Sequence, residues 1–182
     1  MLETVVLYAV LAKRHGLKLS ALSYDWLDTR ITALEVKYGP RGLAAILSGL
    51  LMLAAAIYCR PALTTSSLGS KYALLAQNPF ATDPNPVAYR VLTPLLSYCL
   101  DLRGELIIVT NLIIATLFVY LIYRYFRQTS PRPGDALIAA AVIASSLVTL
   151  STLYYGGYCD SMTYLIIFLM WRARKKPHFF YA

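Results

Sequence analysis

Acidic side chains are scarce in this chain. Its 182 residues hold nine Asp and Glu against 17 Lys and Arg, and charged residues of both signs make up only 14% of it. That is too little polar surface to coat a soluble globule. Histidine is rarer still, with His15 and His178 near opposite ends of the sequence, and both are expected on the opposite side of a membrane from the central acids, which excludes a His-based metal site. Cys59, Cys99 and Cys159 include no C-x-x-C pair. An odd count allows at most one bridge within the chain, and an oxidising compartment would permit Cys99 with Cys159. The chain also lacks a P-loop, a G-x-S-x-G elbow and a G-x-S-G serine within an apolar run, so no cofactor is implied.

What is abundant is apolar side chain, at 58% of the residues, the composition of an all-α, multi-pass membrane protein. Four apolar runs read as transmembrane helices: 43–59, 105–126, 135–154 and 157–171. Tyr58, Tyr120, Tyr123, Tyr125 and Trp171 fall at their ends, where aromatic belts belong. In the first run Ala45 and Gly49 form a small-xxx-small pair; in the third, Ala141, Ser145, Thr149 and Thr152 share a side, so both faces are expected to be close helix contacts. The net charge of +8 does not point to nucleic acid, because the basic residues bracket apolar runs instead of forming a stripe on a soluble element.

Residues 1–42 read as two amphipathic helices at the membrane surface. The first, with Val5, Val6, Leu7, Val10 and Leu11, is too short to span, and the start lacks the basic leader of a signal peptide, so it is expected to be retained. In the second, Leu27, Ile31, Leu34 and Tyr38 recur on one face while Asp28, Glu35 and Lys37 lie off it, until Gly39-Pro40 stops the helix. This region serves either as a platform for a partner or anionic lipid, or as an interfacial helix packed under the bundle. Residues 60–77, rich in Ser, Thr and Gly, read as an exposed loop or short surface helix. The tail, 177–182, is expected in the cytoplasm.

Lys and Arg number six before the first span, four between the first and second, three between the second and third, none in the next turn and four after the last. The positive-inside rule therefore puts both termini and the 124–134 loop in the cytoplasm of a bacterial-type inner membrane. The 78–103 stretch and the 154–160 turn then share the outer side.

In that outer stretch three prolines follow Asn78, Asp83 and Asn85, which forces a constrained loop. Asn85 can cap a helix starting at Pro86 and running to about Arg103, bent at Pro94, with Arg90, Thr93, Ser97 and Asp101 as a polar stripe. Asp160 opens the last span only twelve residues before Arg172, a rise of about 18 Å against a hydrocarbon core of about 30 Å. It should sit below the outer surface, where an ionisable group is a functional candidate with Arg90 as partner, or else caps its own helix. A loop carboxylate at Asp83 and a guanidinium at Arg90 are what sugar transfer from a lipid phosphate requires: a base for the acceptor hydroxyl and a bidentate ligand for the leaving phosphate. An Asp before Pro is also an ordinary turn residue, and an interfacial Arg can simply snorkel to phosphates.

The run DPNPVAYRVLTPLLSYCLDLRG, 83–104, and the later YYGGYCDSMTYL, 154–165, resemble segments of bacterial multi-pass membrane proteins similar to the C-type, lipid-phosphate-sugar dependent glycosyltransferases. The resemblance implies a polyprenyl-phosphate sugar donor and a catalytic acid in the first outer loop, which falls on Asp83; the other outer polar groups are read beside it, Asp160 as a second candidate acid and Arg90, Tyr89 and Asp101 as candidate phosphate-binding residues. That family carries more spans than four, so the chain reads as a minimal or truncated relative. The alternative is a small non-enzymatic membrane subunit that packs its span faces and cytoplasmic helices against larger partners.

Overall fold

A computed structural model describes residues 18–59, 64–65, 67–80, 91–155, 157–158 and 160–174. Every regular element among them is helical. In chain order these are α1, Lys18–Cys59; α2, Ser67–Gln77; α3, Leu92–Cys99; a 3-10 turn, Gly104–Leu106; α4, Ile107–Thr129; α5, Pro133–Ala144; α6, Leu147–Tyr154; and α7, Asp160–Arg174. Among the described residues two stretches, Tyr24–Cys59 and Gly104–Thr129, are long and apolar enough to cross a membrane. The expected helix around Val5 to Leu11 lies outside the described residues.

Helix α4 is the axis of the fold, with α1, α5 and α7 packed around it. Its buried residues, among them Ile107, Ile114, Ala115, Phe118, Val119, Ile122 and Tyr123, recur on more than one side, as a helix surrounded by others requires. Ala115, Val119 and Tyr123 meet Ala44 and Met52 of α1 and Ala136, Ala140 and Ala144 of α5. Those alanines let three backbones approach closely. On another side Ile114, Phe118 and Ile122 meet Leu165 and Phe168 of α7. The contact face of α1 is thus Ala44, Ser48 and Met52. The Ala45 and Gly49 pair looks outward instead, with open space where a Gly49 side chain would stand.

Helix α1 is interrupted, not ended, at Gly39. That residue takes φ 72° and ψ 156°, a left-handed φ that glycine adopts without the Cβ clash. Its extended ψ satisfies the constraint from Pro40, and the proline then opens the next helical arm. The apolar stripe expected on the first arm is rotated in the structure. Leu34 and Tyr38 are 39% and 46% exposed; the face turned to the bundle carries Tyr24, Asp28, Ile31 and Glu35, again at helical spacing.

Those polar residues latch the arm to the bundle. The Arg127 guanidinium grips Glu35 with two hydrogen bonds, Nε to Oε1 at 2.7 Å and Nη2 to Oε2 at 2.9 Å. The Gly134 N–H donates to Asp28 Oδ1 at 2.6 Å. A side chain at position 134 would meet that oxygen at 2.8 Å, so the approach depends on glycine. Asp135 accepts from the hydroxyls of Tyr24 and Ser130, which places it in the polar capping turn of α5, with the apolar run starting at Ala136.

Ser130 first, then Tyr24, hold the Asp135 carboxyl below the usual carboxylate range. A lowered folded pKa contributes stability above the unfolded value and loses it as pH falls through the folded one. Hydrogen exchange across 24–38 is therefore expected to stay slow, once corrected for intrinsic rates, from about pH 8 to about pH 5 and to rise only in stronger acid. Release of the arm already near neutral pH would rule this latch out.

The third apolar run is not one helix. It breaks at Ser145-Ser146 into α5 and α6. Two carbonyls there take hydroxyls as well as backbone N–H groups: Ala141 O accepts the Ser145 N–H at 3.0 Å and its hydroxyl at 2.8 Å, and Ile143 O accepts the Ser146 N–H at 3.1 Å and the hydroxyls of Ser146 at 2.7 Å and Thr149 at 2.8 Å. Ser145 is exposed and Thr149 buried, so the small-residue face expected across the whole run holds only in part.

Candidate functional site

Helix α2 organises one end of the bundle. Of the 60–77 stretch, expected as an exposed loop or a short surface helix, residues 67–77 form this helix, and Tyr72, Ala73 and Ala76 on it are buried with Ile107 at the start of α4. Two glycine turns seat on this helix. Gly104, at φ 62°, approaches the Gln77 side chain. Gly157, at φ 87°, lies so close to Gly69 that an added Cβ would stand 2.9 Å from its Cα. One short helix thus receives both the segment leading into α4 and the turn leading into α7, so the described residues of the two stretches lie at one end of the bundle.

Helix α3 is shorter than the expected 86–103 helix. It starts at Leu92 and ends at Cys99. Pro94 falls in its first turn, where no intrahelical N–H bond is lost, and so it does not bend the helix. After Cys99 the chain closes a Schellman turn: the Leu102 N–H donates to Ser97 O at 2.9 Å and the Asp101 N–H to Tyr98 O at 3.1 Å. Asp101 occupies the left-handed position, at φ 57°, which is usually glycine. Its carboxylate pairs with Arg103 at 3.0 Å. The Arg103 guanidinium also lies 4.4 Å from the Tyr98 ring centroid, and the Phe80 ring meets Tyr98 edge-on.

Thr93 and Ser97 turn inward and are buried, whereas Asp101 is exposed beyond the helix end. The three therefore do not form a single stripe. Ser97 donates to Leu102 O and accepts from Thr110 at 3.1 Å. One turn into α4, Asn111 is 1% exposed, and neither atom of its amide has a hydrogen-bond partner among the described residues. The same holds for the hydroxyls of Thr93 and Ser161. Such groups are costly to bury unpaired. Sequence reasoning missed Asn111, although an amide in the apolar run IIVTNLII was a visible signal.

Asp160 is half-buried and opens α7. Helices α4 and α7 run in parallel: Phe168 packs against Phe118 and Tyr125, and Trp171 against Tyr125. Counting back along both helices at about 1.5 Å per residue leaves Asp160 about 9 Å below the start of α4. It is recessed from that end of α4. Before it, Tyr154 and Tyr155 meet edge-on at 5.0 Å and Tyr155 leans on Tyr158 at 5.3 Å. Tyr154 is 64% exposed and Tyr155 46%, so these rings form an open aromatic shelf.

Asp83, Tyr89 and Arg90 lie outside the described residues, as does Cys159. Both Cys59 and Cys99 carry free thiols, so the permitted Cys99 bridge is not formed. No protein-family model matches the chain, and no curated protein and no solved structure is significantly similar to it.

Proposed function

We propose that this chain is a four-span membrane protein of the glycosyltransferase kind, with its site for a polyprenyl-phosphate sugar at the end built around α2. The observation that carries this is the seating of the 154–158 turn on α2. It brings an exposed tyrosine shelf and the recessed Asp160 to the end of the bundle that holds the buried amide of Asn111 and the described residues Phe80 and Val91. Aromatic faces take up the apolar face of a sugar ring, and carboxylate and guanidinium groups supply the base and the phosphate ligand. Asp83 is the general base of the proposal, Arg90 and Tyr89 hold the phosphate, and Asp160 sits beneath the sugar. Asp101 supports the loop through its turn and its pairing with Arg103.

The four spans are the 40–59 arm of α1, then α4, the broken run from Ala136 in α5 to the end of α6, and α7. Support for membrane placement of the broken pair comes from its hydroxyls. A break inside a bilayer must satisfy its own polar groups, and the hydroxyls of Ser145, Ser146 and Thr149 find acceptors within it at Ala141 O and Ile143 O. Charge distribution supports cytoplasmic termini in an inner membrane.

The test is to purify the chain gently from native membranes, weigh the particle and identify the bound lipid. Wild type is expected to carry a polyprenyl phosphate that Arg90→Gln loses. Asp83→Asn should keep the lipid while transfer from a labelled polyprenyl-phosphate sugar pool falls at least about a thousandfold, the scale of removing a general base together with its positioning. A fixed-stoichiometry complex free of polyprenyl lipid and indifferent to Asp83→Asn would instead identify a non-enzymatic subunit. The outward-facing Ala45 and Gly49 pair favours that second reading, since it leaves room for another helix.

A further inference from the structure

At the opposite end of the bundle, the junction between the first arm of α1 and the last turns of α4 frames an open cavity of about 460 Å3. Its walls are Thr32, Glu35, Val36 and Pro40 on α1 and Arg124, Arg127 and Gln128 on α4. Positions 124, 127 and 128 share one helix face, so both guanidinium groups approach the cavity from the same side. Their situations differ. Arg127 is committed to Glu35 through two hydrogen bonds. Arg124 has a buried Nη1 with no hydrogen-bond partner among the described residues.

A guanidinium nitrogen removed from water and left without an acceptor is costly, and the fork geometry of arginine matches the paired oxygens of a phosphate. Glu35 does not fill this role: its two oxygens accept from Arg127, and the buried Arg124 Nη1 makes no hydrogen bond to them. We infer that this cavity binds the phosphodiester headgroup of an anionic membrane phospholipid, with Arg124 as its principal ligand. The cavity is large enough for a phosphate and its glycerol. Val36 and Pro40 offer an apolar flank for the upper acyl chains, and Val36 is 85% exposed.

A phospholipid is favoured over free phosphate by position. Arg124 ends an apolar run that starts near Ile107, at the level where a bilayer headgroup would stand if α4 spans. The inference rests on the membrane placement proposed above, but not on sugar transfer.

The experiment compares purified wild type with Arg124→Gln in nanodiscs of phosphatidylcholine alone and with added phosphatidylglycerol. Native mass spectrometry is expected to show retained phosphatidylglycerol on wild type and at least about tenfold less on Arg124→Gln, with the melting temperature raised by phosphatidylglycerol only in wild type. Arg124→Lys, which keeps the charge but not the fork, should retain an intermediate amount and covers the case in which the glutamine variant does not fold. Equal retention by wild type and both variants overturns the site. Protection of wild type by inorganic phosphate at the same free concentration as by the lipid would overturn the lipid assignment in favour of a soluble anion. Extraction of the chain from native membranes by alkaline carbonate reports separately on membrane placement.

Discussion

Gly157→Ala is expected to lower the stability of the detergent-solubilised protein more than alanine at any other left-handed glycine among the described residues. Two costs combine there. The backbone at 157 holds φ 87°, which charges any L-residue about 1–2 kcal/mol. The new methyl group would also stand 2.9 Å from Gly69 Cα and 3.1 Å from its carbonyl oxygen. Those are backbone atoms of α2, which cannot swing aside as a side chain can, so the turn must lift off the helix, adding about 1–3 kcal/mol of overpacking.

Two other glycines separate these contributions. Gly39 has positive φ and open space around it, so Gly39→Ala measures backbone strain alone. Gly104 has positive φ and meets the movable end of Gln77 at 3.0 Å, so Gly104→Ala adds little to that strain. Thermal or denaturant unfolding of the three variants should rank Gly157 well above Gly104 and Gly39. If all three fall together, the close contact with Gly69 is not what holds the turn. Because that contact carries the aromatic shelf to α2, Gly157→Ala should also weaken any polyprenyl-lipid retention that Arg90 supports.

This contact explains why part of the candidate site could not be foreseen. The tyrosines and the acid of YYGGYCD are plain in the sequence, and so is the charge pattern that assigns the turn to the same side as the 78–103 stretch. The role of Gly69 is not, because 88 residues separate it from Gly157 and only tertiary packing makes either glycine necessary. Local rules failed in a similar way on α1. The spacing of Leu27, Ile31, Leu34 and Tyr38 is helical, but so is that of Tyr24, Asp28, Ile31 and Glu35, and hydrophobicity alone chose the wrong stripe. What reversed the choice was the complementary set on α4 and α5, where Arg127, Gly134 and Asp135 await polar partners. Across the 135–154 run, apolar composition concealed the break, since Ser145 and Ser146 read as small contact residues until their hydroxyls are seen on the preceding carbonyls. Asp101, by contrast, was legible as polar but not as the left-handed end of a helix, a position that glycine would have announced.

The second large effect belongs to the Glu35 and Arg127 pair. Glu35 is the better buried partner, at 11% side-chain exposure against 31% for Arg127. An exposed pair contributes at most about 1 kcal/mol, whereas removing one partner of a buried pair costs about 3–5 kcal/mol because the other charge is left unpaired. This pair lies between those limits, so Glu35→Ala is expected to cost about 2 kcal/mol. The loss should be local. Asp28 on Gly134 and Tyr24 on Asp135 form a second attachment nearer the start of the arm, so hydrogen exchange should accelerate around 31–38 first and leave the α4 core protected. Arg127→Ala strands the better buried Glu35 and should cost somewhat more, and the double variant should be no worse than either single one, since the penalty is that of stranding a charge. Additive losses in the double-mutant cycle would mean that the two residues stabilise the junction independently and that the bidentate geometry contributes nothing. Glu35→Ala also leaves Arg124 and Arg127 facing the same cavity with no carboxylate between them. Its retention of anionic phospholipid should therefore rise above wild type even as the arm loosens, an opposition between stability and binding that simple unfolding of the junction would not produce.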